Sequence, residues 1–142
     1  MGAVMRHRSQ RERYALEQLR TSIPVPPGKV LTRQGCPCRE FAIVVEGTVQ
    51  VTRDGREIAL LEAGESFGEI GIVRGIASPV TIVASSAVTL EVMNLGEFRS
   101  AYATMPAFRV SVDHQIDRRI ATWLEPSAAP DLAPDADFTL AS

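Results

Sequence analysis

Residues 67 to 81 read FGEIGIVRGIASPVT, and no other stretch of the chain carries as much chemical information. The segment EIGIVR lies between Gly68 and Gly75, too short for an ordinary helix, so it is expected as a single helical turn inserted between strands. The N-terminus of such a turn suits an anion, and the acidic Glu69 stands there. Arg74 closes the segment at its other end, where a cation suits the helix dipole. Two residues beyond the turn, Ser78 and Pro79, supply a neutral hydroxyl and a position without a backbone N–H.

Elsewhere the chain offers little reactive chemistry. Cys36 and Cys38 flank Pro37, and an i, i+2 disulfide there would be strained. Two thiols do not complete a four-ligand metal site, and neither His7 nor His114 is spaced to join them. The reading is two reduced thiols, with redox sensing or a metal shared between chains as the lesser alternatives. No Ser or Cys nucleophile stands beside a base, and no P-loop or dinucleotide fingerprint is present, so the chain is read as a non-enzyme without metal or cofactor.

The elements that must position the 67–81 stretch follow from periodicity. Leu16, Leu19 and Ile23 fall at i, i+3 and i+7, which predicts a helix from about Ser9 to Ser22 that ends at IPVPPG. An extended segment then starts at Gly28. From Lys29 to Met93 the chain reads as short strands: Phe41 to Val45, Val49 to Thr52, the partner across the Asp54-Gly55 turn with Ile58 and Leu60, Val80 to Ala84, and Val88 to Met93. Even spacing of this kind predicts a β jelly roll. After Leu95 the period becomes helical: Gly96 to Thr104 is one helix, Pro106 opens the next, and Phe108, Val112, Ile116 and Ile120 recur every four residues toward Trp123. That stripe packs on the barrel or forms a seam with a second chain. Arg118 and Arg119 read as a solvated face, with contact to an acidic partner or a nucleotide as the lesser alternative.

The 142 residues provide for one domain, placed at 16–124, between a frayed basic segment at 1–15 and a disordered acidic, proline-rich tail at 125–142. A net charge of −2 gives no global basic field for nucleic acid. No signal peptide or membrane span is read, so a cytoplasmic location is expected.

The order of helix, glycine-punctuated barrel, helical turn after Phe67-Gly68-Glu69 and two terminal helices resembles the cyclic nucleotide-binding domain family, which includes catabolite activator-type regulators and regulatory subunits of cAMP-dependent protein kinase. PPGKVLTRQG, FAIVVEGTVQV, LEAGESFGEI and LGEFRSAYATMP carry the resemblance over roughly Leu16 to Leu124. It implies a ligand, cAMP or cGMP, held in a phosphate-binding cassette. Glu69 would then read the ribose hydroxyl, and Gly68, Ile70 and Gly71 would supply backbone positions at the phosphate. The family's phosphate-binding arginine falls on Ser78, and Pro79 removes an N–H that faces the phosphate.

Losing a charge-assisted hydrogen bond worth about 1.5–3 kcal/mol takes a micromolar site toward millimolar. Arg74 is the candidate for a compensating contact, although a solvated arginine is the favoured reading. Two functions follow: a stand-alone sensor of cAMP or a related ligand, or a degenerate domain that binds no cyclic nucleotide and serves in dimerisation or protein interaction through its C-terminal helix. Direct DNA binding is not expected, since the nineteen residues after Trp123 are too few and too polar for a helix-turn-helix.

Overall fold

The computed structural model describes residues 21–124. Eight strands form two four-stranded antiparallel sheets, one ordered β1-β8-β3-β6 and the other β2-β7-β4-β5. The strands are β1 (Thr21–Val25), β2 (Val30–Thr32), β3 (Glu40–Glu46), β4 (Val49–Arg53), β5 (Arg56–Leu61), β6 (Ser66–Phe67), β7 (Thr81–Ala84) and β8 (Val88–Asn94). A six-residue helix α1 (Glu69–Arg74) separates β6 from β7, and α2 (Leu95–Thr104) and α3 (Pro106–Arg119) follow the barrel. A π-helical turn, Ile120–Leu124, continues α3. This is the expected mainly β jelly roll with flanking helices.

Phe41 to Val44 are all apolar and buried because β3 is covered on both faces there, while Val45 is exposed. Ala42 and Val44 turn into the barrel, against Val49, Val51, Ile82 and Leu90. Phe41 and Ile43 turn the other way, into a second core made with Met93, the cassette residues Ile70 and Ile72, and the helix residues Phe98, Phe108, Val112 and Ile116. Phe41, Phe98 and Phe108 form its centre, with ring centroids 4.9 to 5.8 Å apart. The stripe on α3 is therefore covered by its own barrel, with Ile120 only partly buried at its end.

The turns behave as their residues demand. Asp54 and Gly55 both take positive φ, 53° and 81°, the geometry of a two-residue hairpin between β4 and β5. Asn94 and Glu97 form a reciprocal capping box that starts α2, and Pro106 sits in the first turn of α3.

Two expectations change. Thr21 and Ser22, placed at the end of a helix, begin strand β1, and the rest of that predicted helix lies outside the described residues. Extended structure thus begins at Thr21 rather than at Gly28, and strand β1 runs through Pro24; β1 is an edge strand of its sheet, where a missing N–H breaks no ladder. The tail at 125–142 and the segment at 1–15 also lie outside the described residues.

Candidate functional site

The predicted helical turn forms between the two glycines. Gly68 and Gly75 flank α1 in the left-handed region, at φ 102° and 64°. Gly68 could carry no side chain, because a Cβ there would lie 2.3 Å from the carbonyl oxygen of Glu40. This close approach turns the chain from β6 into α1 and points Glu69 inward, where it is 1 % exposed.

The Cys36-Pro37-Cys38 turn is zipped to the far side of the cassette. Gly35 donates its N–H to the Ser78 carbonyl, Ser78 donates its N–H to the Cys36 carbonyl, both at 2.8 Å, and Pro37 bridges to Ala77. Cys38 lies so close under α1 that a Cβ on Gly71 would approach its Sγ to 2.5 Å. Burial pushes the Cys38 thiol pKa up; the Ser78 hydroxyl works against this, the negative charge of Glu69 adds to the rise, and the Gly71 backbone works against it.

Glu69, Gly68, Ile70, Gly71, Ser78 and Pro79 all line one small cavity, together with Thr32, Cys38, Phe67 and Trp123. The sequence-derived constellation is thus brought together in space. Its volume is about 10 Å³, room for about one water-sized sphere. Ser78 is buried at 3 % exposure, and its hydroxyl donates to the Val80 carbonyl at 2.7 Å rather than standing free. Arg74 does not line the cavity: it is exposed at the end of α1, 3.7 Å from Asp117.

The group that dominates the site electrostatically was not foreseen. Arg119, read as part of a solvated face, is 7 % exposed, and its Nη1 donates to Oε2 of Glu69 at 2.8 Å. Arg118 alone keeps the exposed position expected of the pair. The Arg119 guanidinium also covers the Trp123 ring, 4.4 Å from its centroid. Oε1 of Glu69 has no hydrogen-bond partner among the described residues. Helical spacing could have flagged Arg119: Ser111, Gln115 and Arg119 recur every four residues beside the apolar stripe, which marks a second buried row. Nor did sequence point to Arg53, whose Nη1 donates to the Pro79 carbonyl at 2.8 Å and pins that segment from β4.

Among the described residues no group of three or more His, Cys, Asp or Glu is placed to hold a metal ion. No helix there is long and apolar enough to cross a membrane.

The family model of the cyclic nucleotide-binding domain matches residues 22–105, more than half of the chain. The chain belongs to the cyclic nucleotide-binding domain family. The acetyltransferase Pat of Mycolicibacterium smegmatis is 40% identical over 81 residues, which is 52% of this chain and 24% of that protein. The chain thus spans about a quarter of that relative's length. Among solved structures, the catabolite activator protein of Thermus thermophilus superposes with a TM-score of 0.76 at 21% identity, covering 84% of this chain and 58% of that one. A triply substituted regulatory subunit of a cAMP-independent protein kinase A from Trypanosoma brucei, bound to cAMP in its A site, superposes with a TM-score of 0.68 at 20% identity, over 81% and 46% of the two chains. Within the cyclic nucleotide-binding domain family, then, this chain has the regulatory fold, and a buried ion pair links its cassette to α3.

Proposed function

We propose that this chain is a non-catalytic regulatory domain whose cassette is held shut by its own C-terminal helix and does not hold a cyclic nucleotide at micromolar concentration. The observation that carries this reading is the 2.8 Å pair between Glu69 and Arg119. The carboxylate that would read a ribose is already engaged, and the cation that engages it comes from α3. With Ser78 and Pro79 in the phosphate-facing positions, the cassette has neither a free guanidinium nor the extra N–H to offer an anion. A ligand would also have to displace Trp123 to enlarge a cavity of about 10 Å³. The Trypanosoma brucei subunit supports the reading by analogy: that protein is cAMP-independent, and its cAMP-bound form carries three substitutions, one of which introduces an arginine.

A second reading, a weak sensor of cAMP or cGMP, is favoured by the unpartnered Oε1 of Glu69, which can accept a hydroxyl. Calorimetric titration of the full chain with cAMP and cGMP separates the two. No heat is expected at millimolar ligand, whereas a Ser78→Arg, Pro79→Ala variant is expected to gain saturable binding. Saturable binding by the unaltered chain that Glu69→Ala weakens would establish the sensor instead.

A further inference from the structure

Cys38 occupies the wall between two voids. It lines the small cavity of the cassette, and it also lines a cleft of about 480 Å³ between β1, β2 and the inner face of the β1-β8-β3-β6 sheet. Cys38 is half-buried, so a small solute in the cleft meets this residue. The cassette cavity it also borders, of about 10 Å³, leaves room for about one oxygen atom. Its wall includes Glu69, a carboxylate 1 % exposed whose Oε1 has no hydrogen-bond partner among the described residues. A thiol, a space for one oxygen and a buried acceptor awaiting a donor are thus adjacent.

We propose that Cys38 is a reversible oxidation site whose sulfenic acid places its oxygen in the small cassette cavity and donates its O–H to Oε1 of Glu69. The oxidant is a hydroperoxide arriving through the cleft. The Cys38 thiolate attacks one peroxide oxygen; the S–O bond forms as the O–O bond breaks, and the second oxygen leaves as hydroxide. Sulfur is oxidised by two electrons and the peroxide is reduced by two. Rotation about Cβ–Sγ carries the new oxygen from the cleft side to the cavity side. Two equivalents of a small thiol reverse the step, restoring Cys38 and releasing a disulfide and water. Burial keeps the thiol protonated at neutral pH, so the rate rises with pH.

The test uses the full chain carrying Cys36→Ser, a change at an exposed position that leaves Cys38 as the sole thiol. The reduced protein is treated with hydrogen peroxide at pH 7 and pH 9, the peroxide is removed, and dimedone is added after increasing delays with peptide mass spectrometry as the readout. The expected result is a Cys38 adduct that forms faster at pH 9. The trappable species should outlive that of the urea-unfolded chain by about tenfold, the factor supplied by one hydrogen bond of about 1.4 kcal/mol. Thr32→Ile, which crowds the same cavity from β2 and leaves every charge in place, is expected to shorten that lifetime. Absence of a Cys38 adduct at pH 9 would overturn the proposal, as would equal lifetimes in the folded and unfolded chains, which would mean that the cavity holds water only.

Discussion

The side-chain amide of Gln115 donates to Oγ of Ser66 at 2.9 Å, joining α3 to β6 inside the protein across 49 residues of chain. One helical turn further along α3, Arg119 makes the corresponding link to Glu69. One turn earlier, the Ser111 hydroxyl is buried at 1 % exposure with no partner among the described residues. Alongside the apolar stripe, then, α3 carries a second row made wholly of polar groups. Hydrophobic area holds the helix on the barrel, and this row fixes which residue meets which.

The Glu69–Arg119 pair makes opposite demands on single and double replacements. Removing one partner leaves a buried charge uncompensated, and Arg119→Ala or Glu69→Ala is expected to cost about 3–5 kcal/mol. Replacing both with apolar residues of similar volume, Glu69→Leu with Arg119→Met, is expected to recover most of that loss. Urea denaturation of the parent, Glu69→Leu, Arg119→Met and the double variant closes the cycle and gives the coupling energy directly.

Phe108 sits at 0 % exposure between Phe41 and Phe98, in edge contact with both rings. Phe108→Ala is expected to destabilise the domain by about 3–5 kcal/mol, through lost burial and the cavity left behind. Denaturant unfolding should show a lower midpoint with an unchanged slope. The same change frees α3 from the second core, so hydrogen exchange along α3 should accelerate more than exchange in β4 and β5.

Gly71→Ala should show whether the contact between α1 and the Cys36-Pro37-Cys38 turn is as tight as it looks. The added Cβ would meet Cys38 Sγ at 2.5 Å, so a loss of about 1–3 kcal/mol is expected from overpacking. Adding Cys38→Ala removes that nearest atom and should restore part of the stability, while the 2.9 Å approach to the Cys38 Cβ keeps the rescue incomplete. Thermal melts of the two variants and the parent measure both effects.

Alkaline pH acts through Tyr102, whose hydroxyl donates to Asp113 Oδ1. Burial first, then that hydrogen bond and the Asp113 charge, raise the Tyr102 pKa above its ordinary value of 10.0. The folded state therefore holds this proton more tightly than the unfolded state does. Its contribution is complete below pH 10.0 and is lost as pH rises through the folded value. Tyr102→Phe is expected to flatten the alkaline limb of a stability–pH profile measured by urea denaturation.

The sequence was most legible where local chemistry leaves few choices. Gly68 and Gly75 bracket α1 because backbone crowding and positive φ require glycine, and Asp54-Gly55 encodes its own hairpin. The Phe108, Val112, Ile116 row is visible because its period is short. Strand β6, two residues long, gave no pattern to read, and Pro24 was misleading because edge position is a property of the assembled sheet. Arg119 escaped for a related reason. An arginine on a helix is ordinarily solvated, and only the 50-residue separation closed by the fold reveals that Glu69 is waiting for it.

The two rows on α3 share one spacing, and that coincidence sets how the helix can index along the barrel. A slide by one turn would bring the apolar row back onto itself, with Val112 where Phe108 had been and Ile116 where Val112 had been. Shape alone would resist such a step only through the difference in side-chain volume. The polar row has no such near-degeneracy: after the same step Glu69 would face Trp123 in place of Arg119, and its countercharge would be gone. The position of α3 along its own axis is thus encoded by charge, one helical pitch at a time, and whatever alters the charge at Glu69 rewrites that address.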